Sequence, residues 1–265
     1  MNGMELPLVV FTVLSQTAVG IVLASLLGRY AAAGPETDPG RPWGAAAGIL
    51  LVGLLASLAH LGHPTGAVNA VKHLATSWLS REVLVTSIFL AILLLGLPLM
   101  RRKSPGWLLW LAAAAGIVSL VFMGMTYSPP SFPAVNNLLP TVFFVLTAAV
   151  LGPAVVSWFV RGSTPPVLVA VLGSVLLLAL VIYLIVPCIW LSGGTVMQNT
   201  GWAWIGSPLY WLRIVLGLAL PLAVVWKTRD IPVWLPLLLI AGELLGRAVF
   251  FSQTLHTAGN IGGLY

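Results

Sequence analysis

Eight apolar stretches of bilayer-spanning length run through this chain, and they constrain its fold more than any other feature. They lie near Pro7–Gly28, Trp43–Leu61, Glu82–Met100, Gly106–Met125, Leu138–Val160, Pro166–Pro187, Pro208–Val225 and Ile231–Phe251. Each is about 20 residues long, the length a helix needs to cross roughly 30 Å of hydrocarbon. None alternates apolar and polar residues with a period of two, as the strands of a membrane barrel would. With 59% hydrophobic and only 7% charged residues over 265 positions, the chain has far less charge than the roughly 25% of a soluble domain. The expected fold is an all-α integral membrane protein, a bundle of eight transmembrane helices. It reads as one polytopic membrane domain over residues 1–265, with no soluble domain and no internal repeat. No basic segment precedes the first apolar stretch, so that stretch reads as a retained span rather than a cleaved signal.

The separators are rich in Gly, Pro and polar residues, as in "GPETDPGRP", "YSPPSFPAVNN" and "LSGGTVMQNTGWAWIGSP". Alternate loops carry Arg29, Arg41, Arg101, Arg102, Lys103, Arg161, Lys227 and Arg229, whereas the opposite side carries only Lys72 and Arg81. Basic loops stay on the cytoplasmic side, so both termini are expected on the outer, periplasmic side of a cytoplasmic (inner) membrane. The outward loops are long and nearly uncharged. Trp190, Trp202, Trp204 and Trp211 read individually as interfacial anchors, while three long outward loops together also suit a docking surface for a protein partner. The net charge of +6 is scattered over short loops and does not indicate nucleic acid. A single cysteine, Cys188, excludes an internal disulfide and a thiolate cluster site.

Few ionisable residues remain at membrane depth: His60, Glu82, Arg213, Glu243 and Arg247. Charge in hydrocarbon is costly and marks function by default, and all five are expected in the outer half of the bilayer. Glu243 and Arg247 stand at i and i+4 and can pair on one helix. Gly242 and Gly246 beside them form a small-residue edge that another helix can approach.

In "AHLGHPTGAV", His60 and His63 invite metal, haem or proton chemistry. A b-type haem needs axial ligands on facing helices, and His60, His63, His73 and His256 all read at or beyond the outer boundary. Zinc needs three or four ligands, which this region lacks. The expectation is therefore no haem and no metal, with His63 a solvated loop residue. His60 is a group that titrates near neutral pH at the membrane edge, with the Glu82 carboxylate near by. A quinone site uses that combination, because its head group exchanges two protons with two electrons and its tail needs a pocket open to lipid. Tyr127, at the outer end of the fourth span, and Gln16, about three turns into the first, are further hydrogen-bonding candidates. The candidate quinone-binding set is thus His60, Glu82, Gln16, Tyr127, Arg213, Glu243 and Arg247.

The segments "PLVVFTVLSQTAVG", "HLGHPTGAVNAVKHLATSWLSRE", "LRIVLG" and "AGELLGRAVFF" resemble, in the same order, the membrane anchor subunit of the dimethyl sulfoxide reductase family. The resemblance implies eight helices with both termini outside and a haem-free site for quinol, such as menaquinol. It also implies a ferredoxin-like iron–sulfur subunit and a molybdopterin catalytic subunit docked on the outer face. The quinol-linked histidine of the family falls on His60, the carboxylate after the turn on Glu82, and the "GELLGR" pair on Glu243 and Arg247. Thr65-Gly66-Ala67 stand where the family pattern has a basic residue. The chain would then be a subunit of a quinol-linked oxidoreductase complex, without the catalytic centre itself. A secondary transporter would place its site at the midplane between repeated halves, and a cytochrome b anchor would carry haem; these are the rival readings.

Overall fold

The computed structural model describes residues 6–31, 40–58 and 71–260, and within them eight helices are long and apolar enough to cross a membrane. They are α1 (Leu6–Ala31), α2 (Gly40–Leu58), α3 (Trp78–Arg102), α4 (Gly106–Thr126), α5 (Leu139–Ser157), α6 (Pro166–Leu191), the broken span Pro208–Thr228 and α10 (Leu235–Gln253). The broken span is α8 (Pro208–Ile214), a π-helical turn (Val215–Ala219) and α9 (Leu220–Thr228). Every expected span has its helix, although residues 59–61 at the end of the second lie outside the described residues. No strand occurs among the described residues.

Two departures have local causes. The third span begins at Trp78 rather than Glu82, because Ser77 caps it by accepting from the Ser80 N–H at 3.4 Å. Arg81 sits inside that first turn at no cost to the bilayer, since its guanidinium folds back onto the Leu74 and Ala75 carbonyls at 2.8 and 2.7 Å. The separator "LSGGTVMQNTGWAWIGSP" is not a plain loop but holds a short helix, α7 (Thr195–Gly206). Val196, Thr200 and Trp204, four residues apart, bury one stripe of it against the bundle.

α1 and α5 are the most enclosed spans. They cross where Gly20 meets Gly152: a Cβ at Gly20 would overlap the Ala148 carbonyl, and one at Gly152 the Gly20 carbonyl. With the hydrophobic effect largely absent between helices in lipid, such backbone contact is what holds spans together. α1 also packs on α2, α4 and α10. Trp43 fastens α2 to α3 by donating from Nε1 to the Leu93 carbonyl at 2.7 Å, and Thr86 shares a 2.7 Å hydrogen bond with Ser119 between α3 and α4.

One end of the bundle is closed by α7, the α4–α5 connection and the segment after α10. The Thr257 N–H donates to the Ser131 carbonyl at 2.9 Å, and the Leu255 N–H to Thr200 Oγ1 at 3.2 Å. The opposite end carries the basic connections, including Arg29, whose guanidinium reaches the Ser104 carbonyl and hydroxyl at 2.6 and 2.9 Å.

Trp190 and Trp204 are not the interfacial anchors their loop position suggested. Both are buried: their rings meet edge to face at 4.9 Å, and Trp204 stacks near Phe143 with centroids 6.0 Å apart. Trp190 donates to the Ala134 carbonyl at 2.9 Å and so ties α6 to the α4–α5 connection. Trp202 and Trp211 do remain exposed, at 62% and 47%.

Candidate functional site

The polar residues of four spans gather near the end closed by α7. At about 1.5 Å rise per residue, Gln16, Thr147, Arg213, Glu243 and Arg247 lie roughly 8–15 Å in from that end of their helices. They come from α1, α5, α8 and α10, and Gln16, Thr147 and Arg213 are at most 1% exposed.

Glu243 is the hub. Its Oε1 accepts from Arg213 Nη2 at 2.6 Å, and its Oε2 accepts from the Thr147 hydroxyl at 2.8 Å. The expected pair between Glu243 and Arg247 along α10 is therefore not the hydrogen-bonded one. Arg247 instead donates from Nη2 to Gln16 Oε1 at 2.7 Å and to Thr147 Oγ1 at 3.2 Å. Local spacing favours the i, i+4 partner, but the broken span delivers a second guanidinium directly to the carboxylate.

That delivery depends on glycine and proline. Gly217 in the π-helical turn lies against Gly242, whose added Cβ would come within 2.5 Å of the Gly217 Cα. The Arg213 side chain then runs along the α10 backbone, filling the space where Cβ atoms of Gly242 and Gly246 would stand. The small-residue edge does accept a helix, as its spacing implied. Pro221 has no N–H to offer the Gly217 carbonyl, and its ring crowds that carbonyl in a regular helix. The turn widens instead, with the Leu220 N–H donating to the Val215 carbonyl. A π turn of this kind rotates the residues before it relative to those after it.

Two guanidiniums thus stand near one carboxylate inside the apolar part of the bundle, Arg213 bonded to it directly and Arg247 linked to it through Thr147. Aromatic faces supply part of the remaining compensation: Arg213 lies over Tyr183 at 5.1 Å, and Arg247 over Phe144 at 4.2 Å and Phe250 at 5.7 Å. Thr147 and Tyr183 belong to the cluster but were not singled out by sequence. A hydroxyl inside "FFVLTAAVLG" and a tyrosine inside "LVIYLIV" were the only available signals.

A second group stands beside the first. Glu82 in α3 is buried, with the Thr126 hydroxyl against its carboxyl group and Oε2 lacking a hydrogen-bond partner. Tyr127, at the end of α4, packs edge-on between Phe144 and Phe251, with centroids 5.6 and 5.3 Å away. It lies within electrostatic reach of both Glu82 and Arg247, which links the two groups through Phe144. Thr126 and Tyr127 also wall a small apolar pocket of about 100 Å³ with Phe132, Val135, Phe250 and Thr254. The Thr254 hydroxyl is buried there without a partner.

Of the seven candidate residues, Gln16, Arg213, Glu243 and Arg247 form the buried cluster, and Glu82 and Tyr127 form the pocket group. His60 lies outside the described residues, as does His63. His73 and His256 are exposed beyond the spans, with His256 Nδ1 accepting from the Ala258 N–H at 2.8 Å. Cys188 faces outward from α6.

The family model for the DMSO reductase anchor subunit (DmsC) matches residues 1–252. The chain belongs to this anchor subunit family. Among similar proteins, the anaerobic dimethyl sulfoxide reductase chain YnfH of Escherichia coli is 33% identical over 187 residues, covering 64% of this chain and 65% of that protein. A second anaerobic dimethyl sulfoxide reductase subunit of Escherichia coli is 28% identical over 287 aligned positions, covering 93% of this chain and 94% of that protein. Its counterpart from Haemophilus influenzae is 33% identical over 161 residues, covering 58% of this chain and 57% of that protein. The buried cluster falls within the residues that the family model matches, and the pocket group does so up to its last member, Thr254.

Proposed function

We propose that this anchor subunit binds a quinol, such as menaquinol, at the end closed by α7 and passes its electrons to an iron–sulfur subunit docked there. The excess of basic residues at the other end supports placing this end on the outer side of the cytoplasmic membrane. The observation that carries the reading is the pocket group: a tyrosine and an unpartnered threonine hydroxyl on a small pocket near the end of the spans, with a buried carboxylate behind Thr126 that has one oxygen unpartnered.

Oxidation of a quinol releases two electrons and two protons. The head group enters between α4 and α10 with its tail in lipid. One ring oxygen is held by the Tyr127 hydroxyl, and the Thr254 hydroxyl is available to the other. To His60, the histidine of the "HLG" motif after the second span, this reading gives the acceptance of a proton from the quinol hydroxyl. Glu82, behind Thr126 and Tyr127, passes a proton toward the outer solvent. Gln16, Arg213, Glu243 and Arg247 hold α1, α5, α8 and α10 in register beneath the pocket and keep positive charge close to the ring, which favours the more anionic oxidation intermediates.

The electrons leave through the partner. A ferredoxin-like subunit supplying the clusters and a molybdopterin subunit reducing the terminal acceptor complete the complex. Trp202 and Trp211 stand exposed on the face where such a partner would dock. No haem or metal takes part within this subunit. In the reverse direction the same site would reduce a quinone.

The test is His60→Ala in the assembled complex. Loss of quinol-driven turnover with turnover from a soluble dye donor kept at the parent rate is expected. Equal loss with both donors, or full quinol-driven turnover, contradicts the reading.

A further inference from the structure

At the end of the bundle opposite α7, α6 and α9 part and leave an open groove of about 420 Å³. Val169, Gly173 and Leu177 form one wall and Leu222 and Trp226 the other, with Arg229 at the rim. Gly173 keeps the wall low, since even an added Cβ would only reach ordinary contact with Val225 at 3.6 Å. From Pro166 at the mouth to Leu177 the groove follows α6 for about 16 Å at 1.5 Å per residue, a length suited to most of an acyl chain.

The rim is cationic. Arg229 ends α9 in a left-handed conformation, φ 54°, which turns the chain out of the helix and leaves its guanidinium over the exposed Trp226 ring at 5.2 Å. Among the described residues it makes no ion pair. Its neighbour Asp230 is engaged elsewhere: Oδ1 accepts from the Thr164 N–H at 3.2 Å and from the Ile231 N–H at 2.8 Å. The 26-residue helix α6 starts at the same mouth with Pro166, and its N-terminal partial positive charge adds to that of Arg229. A phosphate is the complement of such a rim. A zwitterionic head group would bring its own cation to the same place.

We propose that this groove is a binding site for an anionic phospholipid, with its phosphate on the Arg229 guanidinium and one acyl chain between α6 and α9. Basic pockets between spans on the cytoplasmic side select acidic head groups in this way. The site stands apart from the quinol reading and does not depend on it.

The test is native mass spectrometry of the purified full chain after exposure to phosphatidylglycerol or phosphatidylcholine of equal acyl length. The parent should retain phosphatidylglycerol about fivefold better, the scale of one basic residue near an anionic head group. Arg229→Gln should bring the two to parity with unchanged thermal unfolding, because that side chain stacks on a surface ring rather than bonding within the bundle. Gly173→Leu fills the groove, leaves Arg229 in place and should also lose bound phosphatidylglycerol. Arg101→Gln removes an exposed charge outside the groove and should leave the preference intact. Equal retention of both lipids by the parent would overturn the proposal. So would undiminished retention in Gly173→Leu, which would place the lipid on the rim alone. A loss in Arg101→Gln as large as in Arg229→Gln would reduce the effect to general surface charge and overturn it as well.

Discussion

Arg213 and Glu243 meet at 2.6 Å although they stand on different spans and both are almost fully buried. Breaking such a pair from one side leaves the other charge without compensation, at a cost of about 3–5 kcal/mol. Glu243→Met and Arg213→Met should therefore each lower the thermal stability of the purified protein sharply. The double variant Arg213→Met with Glu243→Met should recover much of the loss. A double variant with additive losses would show that the pair is not coupled.

The approach of the broken span to α10 rests on Gly217 and Gly242. Gly242→Val places branched carbons where the Gly217 backbone already lies, so the spans must separate and Arg213 loses its carboxylate. Accumulation of folded protein in membranes should fall severalfold. Gly48→Ala, where nothing lies within 4 Å of the added carbon, should match the parent. Quantitative blotting of membrane fractions measures both.

Topology is open to direct labelling. In a chain with Cys188 replaced by serine, a cysteine substituted for His256 should react with a membrane-impermeant maleimide in intact cells, whereas one substituted for Lys103 should react only after lysis. The reverse pattern would move the proposed quinol site to the cytoplasmic face.

The spans were legible because lipid imposes one rule on every residue of a crossing segment, so apolar length alone reveals them. What that rule leaves undetermined is which polar side chains meet. Glu243 and Arg247 looked like partners from their spacing. The actual partner of Glu243 comes from thirty residues away, through a π turn that only Pro221 foreshadowed. Thr147 was hidden in an apolar run, since a single hydroxyl in such a run carries no positional signal. The stripe of Val196, Thr200 and Trp204 in α7 was readable in principle, but the surrounding Gly, Ser and Asn residues marked the segment as loop. The close approach at Gly242 and Gly246 is legible in the sequence, because a small-residue edge lets another helix come near in lipid.

Glu82 and Tyr127 differ from the buried cluster in what their loss should do. Tyr127→Phe keeps the ring between Phe144 and Phe251 and removes only the hydroxyl. Folding should be unaffected, and quinol-driven turnover should drop about tenfold as one hydrogen bond to the ring oxygen disappears. Parent-like rates in quinol titrations of membrane vesicles would remove Tyr127 from the site.

The central claim, that the pocket group exchanges protons with a quinol, is tested most directly by the turnover of Glu82→Gln with two electron donors. Glutamine keeps the shape of the side chain and removes its ability to carry a proton. The rate with a menaquinol analogue should fall by about 10²–10⁴, the range for loss of a positioned proton acceptor, while the rate with a soluble dye donor stays at the parent value. A parent-like rate with the quinol analogue, or an equal fall with both donors, would contradict the account.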